Sequence, residues 1–244
     1  NESSPSLNAA VAESYGQLKI YPNAIKIYKA LLSNGTGEQD EWLIRIARYA
    51  FLAGDLKTAD EHLARLRAGS FEPQKNLLLA EVNFSRGDYR KATDYFQKVL
   101  KNRDAADSME LSCLFDYTES LFHTERYQDA LDHLQKIDGR LDKEDLDQKA
   151  RLCLMQSDCY EALHEPRKAA ETLESVVVLN PPNELKQRLN YRLSQLYAKA
   201  GQNDRAVAKL REMLASSQPF WKTVAQQKLD YLKLEELKAK SAAF

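Results

Sequence analysis

The 244-residue sequence has no long apolar run. Its longest, such as Val176-Val177-Val178-Leu179, are about four residues, far short of the roughly 20 a helix needs to cross a bilayer. Glycine and proline are scarce, at 8 and 7. That leaves too few turn residues for a many-stranded sandwich or barrel, while abundant Ala, Leu, Lys, Glu and Gln favour helix. Net charge is nearly absent: 35 Lys and Arg stand against 36 Asp and Glu, which argues against a general nucleic-acid or membrane-surface binder. A hydrophobic fraction of 43% is too high for a disordered chain. The three cysteines form no disulfide framework, because an odd number cannot pair fully within one chain. Cys153 and Cys159, six apart on one predicted helix, point to different faces. Cys113 with either of them stays geometrically open, but small buried hydrophobes is the expected role. Such usage fits a reducing compartment and does not exclude a bacterial periplasm. Asn1 to Ser6 lack an initiator Met and an apolar signal core, as expected of an excised or processed segment. The expectation is an all-helical soluble protein. Its length is near the limit of one compact core, so it implies two domains or a linear repeat.

A repeat is present. Six alanines, Ala24, Ala59, Ala92, Ala130, Ala169 and Ala206, recur at intervals of 35, 33, 38, 39 and 37 residues. Twelve residues before each stands a small residue: Ala12, Ala47, Ala80, Thr118, Ser157 and Ser194. Four after come Tyr28, Leu63, Phe96, Leu134, Leu173 and Leu210, and seven after come Leu31, Leu66, Val99, Ile137, Val176 and Met213. The large residues make one stripe at helical spacing, and the small ones suit two helices that cross closely. Between the helices of each unit lie short breaks such as Ala53-Gly54-Asp55, Arg86-Gly87-Asp88, Thr124-Glu125-Arg126, His164-Glu165-Pro166 and Gly201-Gln202-Asn203. There Gly can end one helix and Asp or Asn can cap the next. Pro181-Pro182 and Pro219 stop the second helices of the last two units.

This pattern resembles the tetratricopeptide repeat (TPR) family over roughly residues 7 to 218. The resemblance implies an all-α solenoid, a right-handed superhelix of helix-turn-helix units. Its units are expected at about 5–38, 39–72, 73–106, 107–144, 145–183 and 184–218, followed by a capping helix and tail at 219–244. The family's early Trp is missing from most units, with only Trp42 near its place. The longer intervals leading into the fourth and fifth units, 38 and 39 residues, predict longer first helices there, around Ala105 to His123 and Lys143 to Leu163. Pro219 to Lys240 reads as an amphipathic lid, with Phe220, Trp221, Val224, Ala225, Leu229 and Leu232 on its apolar side. No comparable lid precedes the first unit. Either its Ser- and Ala-rich first helix tolerates exposure or more repeats precede it.

Reactive constellations are scarce. Gly35-Thr36-Gly37 lacks the third Gly and the Lys-Ser/Thr pair of a phosphate loop. His62, His123, His133 and His164 never stand at zinc-ligand spacing. The acidic run Asp142-Lys143-Glu144-Asp145-Leu146-Asp147 lacks the Gly turn and terminal Glu of a calcium loop, and reads as a solvated helix start. No catalytic residue, cofactor or metal is expected.

In the family that the repeat resembles, function comes from the concave face lined by the first helices. Its geometry implies that residues 15, 11 and 8 before each anchor Ala show there. The −8 row reads Gly16, Phe51, Phe84, Phe122, Glu161 and Ala198, and the −11 row Glu13, Arg48, Glu81, Glu119, Asp158 and Gln195. The −15 row is Ala9, Ile44, Leu77, Phe115, Leu154 and Tyr191. The middle units thus imply a groove with an apolar, aromatic floor and acidic flanks. Its candidate contacts are Arg48, Phe51, Leu77, Glu81, Phe84, Phe115, Glu119, Phe122, Asp158, Glu161 and Tyr191. It would receive an extended or helical partner segment, with Phe rings as anchors and carboxylates selecting Lys or Arg. Phe51, Phe84 and Phe122 suit packing between adjacent first helices equally well, and both readings stay open, whereas the −15 residues, Phe115 among them, are expected to be partly packed.

Charge is unevenly spread: 13 basic and 12 acidic residues in 1–100, 10 and 18 in 101–180, 12 and 6 in 181–244. An acidic middle and a basic end allow head-to-tail self-association, so a homo-oligomeric scaffold is the alternative to a groove binder. No aromatic-basic interleaving points to nucleic acid. Residues 219–229, Pro-Phe-Trp-Lys-Thr-Val-Ala-Gln-Gln-Lys-Leu, resemble the ends of bacterial proteins of this kind. A protein partner within a bacterial assembly (envelope, secretion, pilus, motility or polysaccharide export) and a periplasmic site are the expectations. TPR co-chaperones that grip a C-terminal carboxylate use Lys, Asn and Arg where this chain carries mostly Ala, Leu, Ile, Glu and Asp. A peptide ending in a free acidic carboxylate is therefore expected to bind no better than its amidated form in a fluorescence-anisotropy titration; selective binding of the free acid would overturn this reading.

Overall fold

The computed structural model describes residues 4–35, 39–67, 69–142 and 145–242. All regular structure among them is helical. The repeat positions account for the core. Of the 24 residues at the four repeat positions, none is more than 4% exposed. A small residue on the first helix faces the Ala of the second, so backbones approach closely. The large residues four and seven further on then fill the groove to the neighbouring pair.

The helices separate into two compact units, residues 1–125 and 126–244. The first holds α1 (Pro5–Gln17), α2 (Tyr21–Ser33), α3 (Gln39–Leu52), α4 (Leu56–Arg65), α5 (Glu72–Ser85), α6 (Tyr89–Leu100), α7 (Arg103–Ser108) and α8 (Leu111–His123). Here α1 packs on α2, α2 on α3, α3 on α4, α5 on α6 and α6 on α8, while the first helices α3, α5 and α8 lie side by side. The second holds α9 (Tyr127–Asp138), α10 (Leu146–Ala162), α11 (Pro166–Val177), α12 (Asn183–Lys199), α13 (Asn203–Leu214) and α14 (Pro219–Ala242). In it each helix packs on the next in sequence.

The lengthened first helix expected in the fourth unit does not form. Its extra residues make the separate α7, started by Asn102, whose Oδ1 accepts from the Ala105 amide at 3.0 Å. Buried Met109 follows, and α8 begins only at Leu111. Pinning Met109 in the core breaks the helix more effectively than the run's propensity continues it. The fifth unit does have a longer first helix, the 17-residue α10. Asp145 starts it, accepting from the Gln148 amide at 3.0 Å, so part of the acidic run is a helix start. Lys143 and Glu144 lie outside the described residues, as do Thr36, Gly37 and the unit boundary drawn at 38.

Each of the six turns between paired helices needs a left-handed residue five positions before the anchor Ala. Gly54, Gly87 and Gly201 supply it at φ of 72–78°. Lys19, Glu125 and His164 adopt it at φ of 59–61° despite their side chains. Asp55 and Asp88 then cap α4 and α6 by accepting the Thr58 and Lys91 amides at 3.0 and 3.3 Å. Asn203 does not cap α13 as expected; it lies inside the helix, and the capping position is Gln202, whose side chain makes no such bond.

The expected lid is present. Trp221, Ala225 and Leu229 of α14 close over Leu210 and Met213 of α13, and Trp221 Nε1 donates to Glu184 Oε2 at 3.3 Å. Phe220, assigned to the same apolar side, instead points outward and is 66% exposed. At the other end, Leu7 and Val11 of α1 stay exposed. The three cysteines are buried and free.

Relieving left-handed strain stabilises when the new residue adopts the conformation freely. His164→Gly is therefore expected to raise unfolding free energy by about 1 kcal/mol in urea titration, less the entropy that Gly adds to the unfolded chain. Gly201→Ala, where φ is 72°, is expected to lower it by a similar amount. A His164→Gly protein less stable than wild type, or a Gly201→Ala protein as stable as wild type, would overturn the assignment of left-handed strain to these turns.

Candidate functional site

In the first unit, the sequence-predicted residues of α3, α5 and α8 share one side but differ in availability. Phe51 is half-buried against the core of Leu43, Ala47, Leu63 and Val82. Phe115 is 1% exposed and therefore belongs to the core, a correction to its expected place on the groove floor. Leu77, Glu81, Phe84, Glu119 and Phe122 are half-buried, as Phe51 is, and Arg48 is exposed.

Phe84 and Phe122 belong to a continuous aromatic cluster. The Phe84 ring meets Tyr89 edge-on at 5.7 Å, Tyr89 stacks on His123 at 4.1 Å, and His123 meets Phe122 edge-on at 5.7 Å. Glu119 sits beside it, with Oε1 3.8 Å from His123 Nε2. Sequence reasoning missed Tyr89 and His123. A signal existed for the first, since Tyr21, Tyr89 and Tyr127 all stand three residues before an anchor Ala.

The carboxylates divide by their partners. Burial is the main force on Glu81, and with Asp116 and Glu110 it pushes the carboxyl above the ordinary range, against Arg48 and a hydrogen bond from Cys113. That bond runs from Cys113 Sγ to Glu81 Oε1 at 3.4 Å, and burial and Glu81 push the thiol up to about 12. Glu13 behaves oppositely. Burial raises it, but Tyr28 and Tyr49 hydroxyls donating at 2.5 and 2.8 Å, together with the Arg45 guanidinium, hold it below its usual value. Arg45 also donates to Glu41 at 2.9 Å. Gly16 makes room for this knot, because a Cβ there would lie 2.3 Å from the Tyr49 hydroxyl. Glu13, the first member of the −11 row, thus holds α1 on α3.

In the second unit the expected acids are similarly engaged. Arg192 of α12 donates to Asp158 Oδ1 at 2.6 Å and Glu161 Oε2 at 2.5 Å, and Lys199 pairs with Glu161. Asp158 is pushed up by burial and by Glu161, against the pull of Arg192. Tyr191 packs beside Trp221, ring centres 6.5 Å apart. Arg205 pairs with Glu174 and Lys209 with Glu212. Arg192, Lys199 and Arg205 thus join the basic end to acids of the acidic middle on other helices.

These are the features of an α-solenoid of tetratricopeptide type, and comparison with known proteins agrees. A family model described as anaphase-promoting complex, cyclosome, subunit 3 matches residues 57–137. No curated protein matches in sequence. Among solved structures, a MamA RS-1 double mutant is similar with a TM-score of 0.59 and 17% identity, covering 80% of this chain and 98% of its own. MamA residues 41 to the end from Desulfovibrio magneticus RS-1 gives 0.58 and 17%, covering 72% and 93%. A tetratricopeptide repeat protein from Parabacteroides merdae gives 0.53 and 14%, covering 93% and 84%. The fold of the chain is that of tetratricopeptide repeat structures.

Opposite pKa directions imply opposite pH effects. A carboxyl lowered on folding stabilises above its unfolded pKa and loses that contribution as pH falls through its folded one; a raised carboxyl costs stability as pH rises above the ordinary range. Glu13→Gln is expected to destabilise at pH 7 and to approach wild type as pH falls below the ordinary carboxyl range. Glu81→Gln is expected to stabilise at pH 7 and lose that gain below pH 4. Urea unfolding at both pH values checks this; equal behaviour of the two variants would overturn the assignments.

Proposed function

We propose that the chain is a non-catalytic protein-binding scaffold whose six repeats, with the boundaries given above and a C-terminal lid, present the α5–α8 side of the first unit to a partner segment. The observation that carries this is the partly exposed cluster of Phe84, Tyr89, Phe122 and His123 beside Glu119 and Glu81. Aromatic rings on rigid helices give large contact area at little entropic cost, and carboxylates alongside favour a Lys- or Arg-bearing segment. Arg48, Phe51 and Leu77 extend the surface along α3 and α5. Asp158, Glu161 and Tyr191 play a lesser part, because Arg192, Lys199 and Trp221 already engage them. What supports a bacterial assembly as the setting is the resemblance of residues 219–229 to the ends of bacterial repeat proteins.

The double variant Phe84→Ala/Phe122→Ala is expected to reduce recovery of the partner by at least about tenfold in pull-down, as hot-spot aromatics do. Phe220→Ala on the exposed face of α14 is expected to leave recovery unchanged. Thermal melts confirm that both variants fold. Undiminished recovery by the folded double variant would overturn the surface assignment.

A further inference from the structure

Asparagine is followed by glycine once in the sequence, at Asn34-Gly35; the other asparagines precede residues that carry a Cβ. The pair ends α2. Asn34 occupies the position after its last turn at φ −78° and ψ −1°, and Gly35 follows in the left-handed region at φ 63°. Both residues are exposed.

Little holds the reacting groups in place. The Asn34 carboxamide makes no hydrogen bond to another described residue, and Asn34 lines an open cavity of about 430 Å³ between α1 and α2 that admits water and hydroxide. On the backbone side, the Gly35 N–H donates to Leu32 O at 3.3 Å, just beyond the usual length. A Cβ on Gly35 would meet nothing within 4 Å, so the space around it is open. With no side chain of its own, Gly35 leaves the approach of its nitrogen to Asn34 Cγ unobstructed.

We propose that Asn34 is a self-modification site, at which the chain converts its own carboxamide to aspartate and isoaspartate. Hydroxide removes the Gly35 amide proton, and the nitrogen attacks Asn34 Cγ. The new C–N bond closes a five-membered succinimide as Nδ2, gaining a proton, leaves as ammonia. Water then adds to either ring carbonyl: one opening gives aspartate, the other isoaspartate, in which the backbone runs through the former side chain. The sum is amide plus water to acid plus ammonia, with no change of oxidation state. At ψ −1° the Gly35 nitrogen is turned along the helix, so reaction waits for the terminal residues to swing out. Openings at helix ends cost little. Asn203, followed by Asp204, lies inside α13 and lacks that freedom.

The product changes α2. A carboxylate at a helix C-terminus faces the negative end of the helix dipole, and the last turn of α2 carries no basic residue to offset it. That turn holds Leu31 and Leu32 against Trp42 and Ile46 of α3. Conversion therefore loosens α2 on α3.

The full chain is incubated at pH 8 and 37 °C beside a synthetic peptide of residues 28–40 that sets the time base. Both are mapped by mass spectrometry, and isoaspartate is counted by enzymatic carboxyl methylation. When half of the peptide has converted, Asn34 of the folded chain is expected to have gained the acid at least about tenfold more often than Asn203 or any other asparagine. Isoaspartate is expected to exceed aspartate, and the rate to rise from pH 7 to pH 9 because the attacking nitrogen must first lose its proton. Asn34→Gln, which would need a less favourable six-membered ring, is expected to stay unmodified and to keep its melting temperature through the incubation, while that of wild type falls. Asn34→Asp is expected to melt lower than wild type from the start. The proposal is overturned if Asn34 converts no faster than the other asparagines, if the product is aspartate alone, or if the melting temperature of Asn34→Gln falls as far as that of wild type. An Asn34→Asp protein as stable as wild type would overturn the effect assigned to α2.

Discussion

The contact on which this structure depends is the crossing of a small residue on one helix with an alanine on the next. Ala12 with Ala24, Ala47 with Ala59 and Ala80 with Ala92 are all 0% exposed. Thr118, Ser157 and Ser194 take the first-helix place in the later units and are equally buried, so the position between these close backbones admits only small side chains. Once that separation is set, side chains four and seven residues beyond the alanine reach the adjoining pair and bury there. Core formation is therefore local and repeated, with each pair covering its neighbour.

Between pairs, polar contacts refine what apolar packing establishes. The Glu13 carboxylate is held by Tyr28, Tyr49 and Arg45 from the next two helices. Arg192 makes the corresponding link from α12 back to Asp158 and Glu161 on α10. These pairs are one repeat apart in sequence, 32 residues for Arg45 and Glu13 and 34 for Arg192 and Asp158. A solenoid brings together side chains separated by its period. Its surface charge is thus governed by whether opposite signs recur at that interval.

The helices, their core positions and the lid were legible because they depend on residue size at fixed spacing. The separate α7 was not, because burial of Met109 interrupts a run whose local propensity allows continuation. The left-handed turns at Lys19, Glu125 and His164 carry no glycine to mark them and become visible only by alignment with Gly54, Gly87 and Gly201. For the candidate surface, the aromatic row was readable, but the availability of its members was not. Phe84 and Phe122 in one cluster, Phe51 against the core and Phe115 within it differ in their neighbours, not in their spacing. Likewise, an acidic row identifies carboxylates without saying which already face an arginine.

The buried cysteines add chemical silence. Thiolate is the reactive form, and with Cys113 and Cys159 both pushed up to about 12 almost none exists in the folded protein at neutral pH. Alkylation must then wait for the surrounding helices to open. Cys113 lies in the first unit and Cys153 and Cys159 in the second. The native chain thus carries a separate internal clock in each half, so the modification rate at each thiol records how often its own part of the solenoid comes apart.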